Sequence, residues 1–88
     1  MPTISMFYRI LIRMYCGAAE HNPPHFHARY GKDGVAIEIS SLRVLEGYIP
    51  PRALGLVMEW ASQHQKELME DWNLASKNQP PKKIAPLA

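Results

Sequence analysis

From Phe7 to Tyr15 the chain alternates. Tyr8, Ile10, Ile12 and Met14 fall on one side, and Arg9, Leu11, Arg13 and Tyr15 on the other. A period of two with aromatic and β-branched residues predicts a strand, and Thr3 to Met6 either extends it or forms a short strand of its own. Cys16 to Pro24 reads as a loop, because prolines at 23 and 24 have no N–H to give a ladder. A second alternation fills His25 to Gly31 and Val35 to Ser40, with Asp33-Gly34 between. That dipeptide suits a type I′ turn, which needs positive φ at both central positions. The turn predicts Lys32 opposite Val35, hence Tyr30 opposite Ile37, Arg29 opposite Glu38, Ala28 opposite Ile39 and His27 opposite Ser40. One face then holds Phe26, Ala28, Tyr30, Ile37 and Ile39, and the other His25, His27, Arg29, Glu38 and Ser40. An apolar face against a polar one is the mark of an antiparallel sheet packed on one side.

Leu42 to Glu46 predicts a further short strand ended by Gly47. Pro50-Pro51 then opens a helix, since proline in the first turn is pre-set in φ and loses no helical bond. Leu54, Met58, Ala61, Gln65, Leu68, Trp72 and Ala75, with Val57 beside them, recur at three- and four-residue steps to about Ser76, a stripe that faces the sheet. Glu59, Gln63, Lys66, Glu67, Glu70 and Asp71 make the solvated side. Trp72 belongs to the stripe; Trp60, if exposed, would anchor an interface. His64 reads as an ordinary surface residue. The fold class is α+β: a three- to four-stranded antiparallel sheet with one long C-terminal helix on one face. Residues 1–78 form a single domain. Residues 79–88 form an extended tail that either docks through Ile84 and Leu87 or frays.

Composition bounds this picture. With 88 residues there is room for one domain and a thin core, about 60–65% of the unfolded surface being buried at this size. One cysteine excludes an internal disulfide and Cys-rich zinc folds, and fits a reducing cytoplasm, which is the expected location. Cys16 itself reads as a small buried hydrophobe. The longest apolar run is broken by Arg9 and Arg13 and is too short for a bilayer, so no membrane partner is expected. A net charge of +2 permits contact with nucleic acid without requiring it.

The polar face carries the candidate chemistry. His25 and His27 are two apart on a strand, so their side chains point the same way. His21 lies in the loop leading to them. No cofactor is expected on one reading; on another, His21, His25 and His27 are three ligands for a divalent transition metal, with Glu38 or Glu20 as a fourth. The metal-free reading is a ribonuclease. Glu38 would take the 2′-hydroxyl proton, His27 would protonate the leaving oxygen, and Arg29 would hold the phosphate. His25, Arg13 and Lys32 would add binding contacts, and Tyr8, Tyr15 and Tyr48 are candidates for base stacking. The plain alternative makes Arg29 and Glu38 a cross-strand ion pair. The same face, or an edge strand, would then bind another protein.

The run His21-Asn22-Pro23-Pro24-His25-Phe26-His27-Ala28-Arg29-Tyr30-Gly31 resembles the small bacterial proteins grouped as domain of unknown function 4160. So do Met1-Pro2-Thr3-Ile4-Ser5, Val44-Leu45-Glu46-Gly47, Glu59-Trp60 and Lys83-Ile84-Ala85-Pro86-Leu87. The resemblance covers nearly the whole chain. It supplies no catalytic residues. Members often sit beside a second small protein in a two-gene arrangement, which implies a toxin–antitoxin component with a cognate small protein partner. RNA and a second copy of the chain are the other partners in view. Two departures stand out: Arg9 occupies a position where many members carry glycine, and Gly17-Ala18-Ala19 lacks the acidic residue common in that loop, leaving Glu20 as its nearest substitute.

Overall fold

The computed structural model describes residues 2–15 and 23–88. Five strands, β1 (Thr3–Phe7), β2 (Ile10–Arg13), β3 (His25–Tyr30), β4 (Asp33–Glu38) and β5 (Val44–Tyr48), precede two helices, α1 (Pro51–Ser62) and α2 (Gln65–Ser76). The strands form one antiparallel meander in sequence order. Ile10, Ile12, Phe26, Val35 and Ile37 on its inner face meet Val57, Trp60, Leu68 and Trp72 of the helices in one core. The fold is α+β, with five strands and two helices where the hydrophobic pattern predicts three or four strands and one helix.

The extra strand arises at Tyr8-Arg9. Both sit in the left-handed region, φ 51° and 66°, and turn the chain so that Phe7 pairs with Ile10. Nothing in the residue types announces this turn, because glycine, asparagine and aspartate are its usual occupants. The alternation beyond it holds: Ile10, Ile12 and Met14 are buried.

The β3–β4 hairpin turns two residues earlier than Asp33-Gly34 predicts. Gly31, at φ 60°, and Lys32 form the connection, and Tyr30 pairs with Asp33. Arg29 therefore faces Gly34, His27 faces Ala36 and His25 faces Glu38, so the predicted pairing of Arg29 with Glu38 is replaced. The shift is an even number of residues, so every side chain keeps its predicted face. Tyr30, expected in the core, lies at the strand end and is 36% exposed.

The predicted strand over Leu42–Glu46 begins and ends two residues later. Gly47 lies within it, at φ 87°, rather than terminating it. A Cβ on Gly47 would come within 2.3 Å of the Gly34 carbonyl oxygen, so only glycine allows β4 and β5 to approach this closely.

The helix breaks at Gln63-His64. A straight helix over Pro51–Ser76 would be about 39 Å long at 1.5 Å per residue, whereas the longest extent of the protein is 33 Å. Gln63 and His64 donate to Trp60 and Ala61, three residues back, which tightens the last turn of α1. Gln65 then donates from its amide to the carbonyls of Ile39 (2.8 Å) and Ser40 (3.1 Å), tying the start of α2 to the end of β4. The break re-phases the stripe. Ala53, Val57, Trp60 and Ala61 are the buried positions of α1, with Leu54 and Met58 only partly covered. Trp60 is fully buried against Phe7, Phe26 and the His64 ring, and is no interface anchor. His64 caps this junction, its Nδ1 bonded to the Glu67 carboxylate.

The tail docks. Ile84 N–H donates to the Ile4 carbonyl (2.8 Å), Trp60 Nε1 to the Ala85 carbonyl (2.8 Å) and the Tyr8 hydroxyl to the Ala88 carbonyl (2.9 Å). Ile84 is buried, so the tail covers the edge of β1. Asp71, expected on the solvated side, is buried and accepts the Lys82 N–H at 2.8 Å. Burial pushes its carboxyl above the usual range, and that hydrogen bond only partly opposes the shift. No helix among the described residues is long and apolar enough to cross a membrane.

Candidate functional site

The register assembles the outer face of the sheet in rows. One row is Arg13, His27, Ala36 and Glu46, and the next is Leu11, Arg29, Gly34 and Tyr48. On β4 both rows pass through residues with almost no side chain. The result is a trough floored by Gly34 and Ala36, with His27 and Arg29 on one wall and Glu46 on the other. It forms a groove of about 530 Å³ that also takes in Arg13, Tyr15 and His25. Its walls are two strand spacings apart, about 9.5 Å between backbones.

Each wall residue is held differently. Arg29 is exposed, and its Nε donates to the Gly31 carbonyl at 3.1 Å, anchoring the guanidinium at the hairpin end. Arg13 Nε is buried with no hydrogen-bond partner among the described residues, so only the outer part of that group is left for a ligand. His25 Nδ1 meets the Pro23 carbonyl at 2.9 Å. A carbonyl can only accept, so this bond puts the hydrogen on Nδ1. The rings form a continuous line. Tyr15 to His27 is 5.0 Å, His27 to His25 is 5.1 Å, and His25 to Trp72 is 5.2 Å. His27 is thereby wedged between two rings, which fixes its orientation at the groove wall.

Glu38 is elsewhere. Its carboxylate accepts Ser41 Oγ at 2.6 Å and Ser40 Oγ at 3.3 Å, and lies 3.6 Å from Arg43. It organises the β4–β5 connection and does not line the groove. Lys32 is in the exposed β3–β4 turn, also away from the groove. Of the residues singled out from the sequence, Arg13, His25, His27 and Arg29 come together, and Tyr15 joins them. Tyr48 stands beside Gly34 in the second row, 60% exposed. Tyr8 is in the β1–β2 turn. His21, Glu20 and Cys16 lie outside the described residues. Among the described residues no group of three histidine, cysteine or acidic side chains is placed to hold a metal.

Glu46 and the glycine–alanine floor are the parts sequence reasoning missed. The signal was present: Gly34 and Ala36, two apart on a strand, leave one face of that strand bare. Seeing it required the correct turn.

No curated protein and no solved structure matches the chain. One family profile does, over residues 10–73. That span runs from β2 into α2 and contains every residue of the groove; β1 and the docked tail lie outside it. By that match the protein belongs to the family described as a domain of unknown function, DUF4160.

Proposed function

We propose that the groove on the open sheet face binds single-stranded RNA. The observation that carries this reading is the trough floored by Gly34 and Ala36 with two arginines and two flanking tyrosines at its sides. Arg13 and Arg29 supply phosphate contacts, Arg29 as an exposed planar fork. Tyr15 and Tyr48 are exposed aromatic faces of the kind on which unpaired bases stack. His27, held between Tyr15 and His25, is the proton donor if the bound strand is cut. Such a protein fits the RNA-directed half of a toxin–antitoxin pair.

The test is fluorescence anisotropy with a labelled single-stranded RNA at several salt concentrations. Arg13→Ala and Arg29→Ala should each weaken binding about tenfold and lower the salt slope by about 0.7. Binding unchanged in both variants rejects the groove as the RNA site. Cleavage is followed on the same RNA. Loss of cleavage in His27→Ala at unchanged melting temperature separates an enzyme from a binding module.

A second reading rests on the sheet edges. The tail covers β1, whereas among the described residues β5 pairs with β4 alone. An extended segment of a cognate small protein would add to β5 through main-chain hydrogen bonds. Leu45→Pro would remove a main-chain donor from this strand and should abolish such a complex. Persistence of the complex with that variant would exclude the edge.

A further inference from the structure

Glu46 has no hydrogen bond or ion pair among the described residues and stands on the groove wall opposite His27 and Arg29. A carboxylate beside a phosphate-binding wall is repulsive unless the ligand brings donors to it. The groove is therefore polarised across its width, cationic on the β3 side and anionic on the β5 side. A cationic peptide would suit Glu46 but be repelled by Arg13 and Arg29. A free phosphate would suit the arginines and leave Glu46 unsatisfied. The ligand that matches both walls has a negative group at one end and hydrogen-bond donors at the other.

Ionised glutamate is acceptor-only, with two oxygens side by side. Among the four RNA bases only guanine offers two adjacent donors on its Watson–Crick edge, N1–H and the N2 amino group. Adenine and cytosine each offer one amino group next to an acceptor, and uracil one N–H between two carbonyls. The floor of Gly34 and Ala36 gives a flat ring room to lie between the walls. Tyr48, in the row next to Glu46, provides a face against which the ring can stack. The backbone holds this wall in place: Gly47, between Glu46 and Tyr48, packs so closely on Gly34 that no Cβ fits.

We infer that Glu46 reads guanine, making the groove a guanosine-selective site, with Arg13 and Arg29 on the phosphate of the same nucleotide. This rests on the RNA-binding reading above and adds its base specificity.

Four five-nucleotide RNAs, UUGUU, UUAUU, UUCUU and UUUUU, are titrated into the protein and into Glu46→Gln. The wild type should bind UUGUU at least about tenfold tighter than the other three, as expected for paired hydrogen bonds to a charged acceptor. Glu46→Gln, whose amide accepts at only one atom, should lose that preference. It should bind UUUUU at least as tightly as the wild type does, because the uncompensated repulsion of the carboxylate is gone, and melt at the same temperature. Equal affinity for all four RNAs, unmoved by Glu46→Gln, would overturn the guanine assignment and leave RNA binding standing. Failure of all four to bind overturns the RNA reading itself. Titration with 5′-GMP separates the source of the ligand. Affinity equal to that of UUGUU, lost in Glu46→Gln, supports the guanine site with a free nucleotide as its occupant; much weaker affinity supports guanosine within a strand.

Discussion

His27 and Glu46 are register partners of the same residue, Ala36, and face each other across its methyl group on the outer side of the sheet. Ala36 is 5% exposed and is flanked in its row by the larger side chains of His27 and Glu46. Its methyl is thus the floor of a trough with open space above it. Ala36→Leu puts an isobutyl group into that space without entering the core. The melting temperature should change by no more than about 4 °C, the shift expected for a change within about 0.5 kcal/mol in a small domain. RNA affinity should fall at least tenfold. A variant that melts normally and binds normally would show that the trough is not where the ligand sits.

Gly47 connects fold to site. At φ 87° and 2.3 Å from the Gly34 oxygen for an added Cβ, it fixes how β5 lies against β4, and so where Glu46 and Tyr48 stand. Gly47→Ala combines a steric conflict with backbone strain. It should cost about 2–3 kcal/mol of unfolding free energy in urea titration, the upper range for a residue forced into a sparsely populated conformation. Near-neutral stability would mean that β5 moves freely there, and the wall it forms would lose its rigidity.

The polar face was legible in the sequence because a period of two assigns faces regardless of where the turn falls. His25, His27 and Arg29 lie outward in either register, whereas their partners do not survive the shift. The choice of Asp33-Gly34 over Gly31-Lys32 sent Arg29 to Glu38 and concealed Ala36 and Gly34 as a floor. Trp60 was misread for a different reason. On one continuous helix of 3.6 residues per turn it lies about 120° around from Trp72, off the apolar stripe, and the break at Gln63-His64, held by Gln65 on Ile39 and Ser40, lets both tryptophans reach one core. That break is a tertiary effect without glycine or proline to mark it. The tail was legible as amphipathic, but its docking depends on Asp71 and Trp60 presenting a carboxylate and an indole N–H from the helices.

Arg9 holds φ 66° as the second residue of a two-residue turn, a conformation that costs an L-residue about 1–2 kcal/mol. Glycine, without a Cβ, adopts this conformation freely. Arg9→Gly should therefore stabilise the protein by about 0.5–1 kcal/mol, the relief of strain exceeding the entropy glycine adds to the unfolded chain. Equilibrium urea unfolding of the two proteins measures this. A destabilised variant would mean that the Arg9 side chain contributes contacts worth more than the strain.

Asp71 sets a pH dependence of known sign. Desolvation raises its carboxyl above the ordinary value of 3.8, reinforced by Glu67 and Glu70 and opposed by the Lys82 N–H and charge. A raised acid binds its proton more tightly in the native state than in the unfolded chain. The native state is therefore favoured by this group below 3.8, and loses that advantage as pH rises through the elevated native value. Asp71→Asn keeps an oxygen to accept the Lys82 N–H and removes the titration. Acidification from neutral pH toward 3.8 should shift the difference in melting temperature in favour of the wild type. The comparison cancels the carboxyls that do not feel Asp71, and Glu67 and Glu70, whose charges are coupled to it, shift the difference in the same direction. A difference that stays constant across that range, or moves toward the variant, would show that Asp71 is solvated in the native protein and that Lys82 is not held against it.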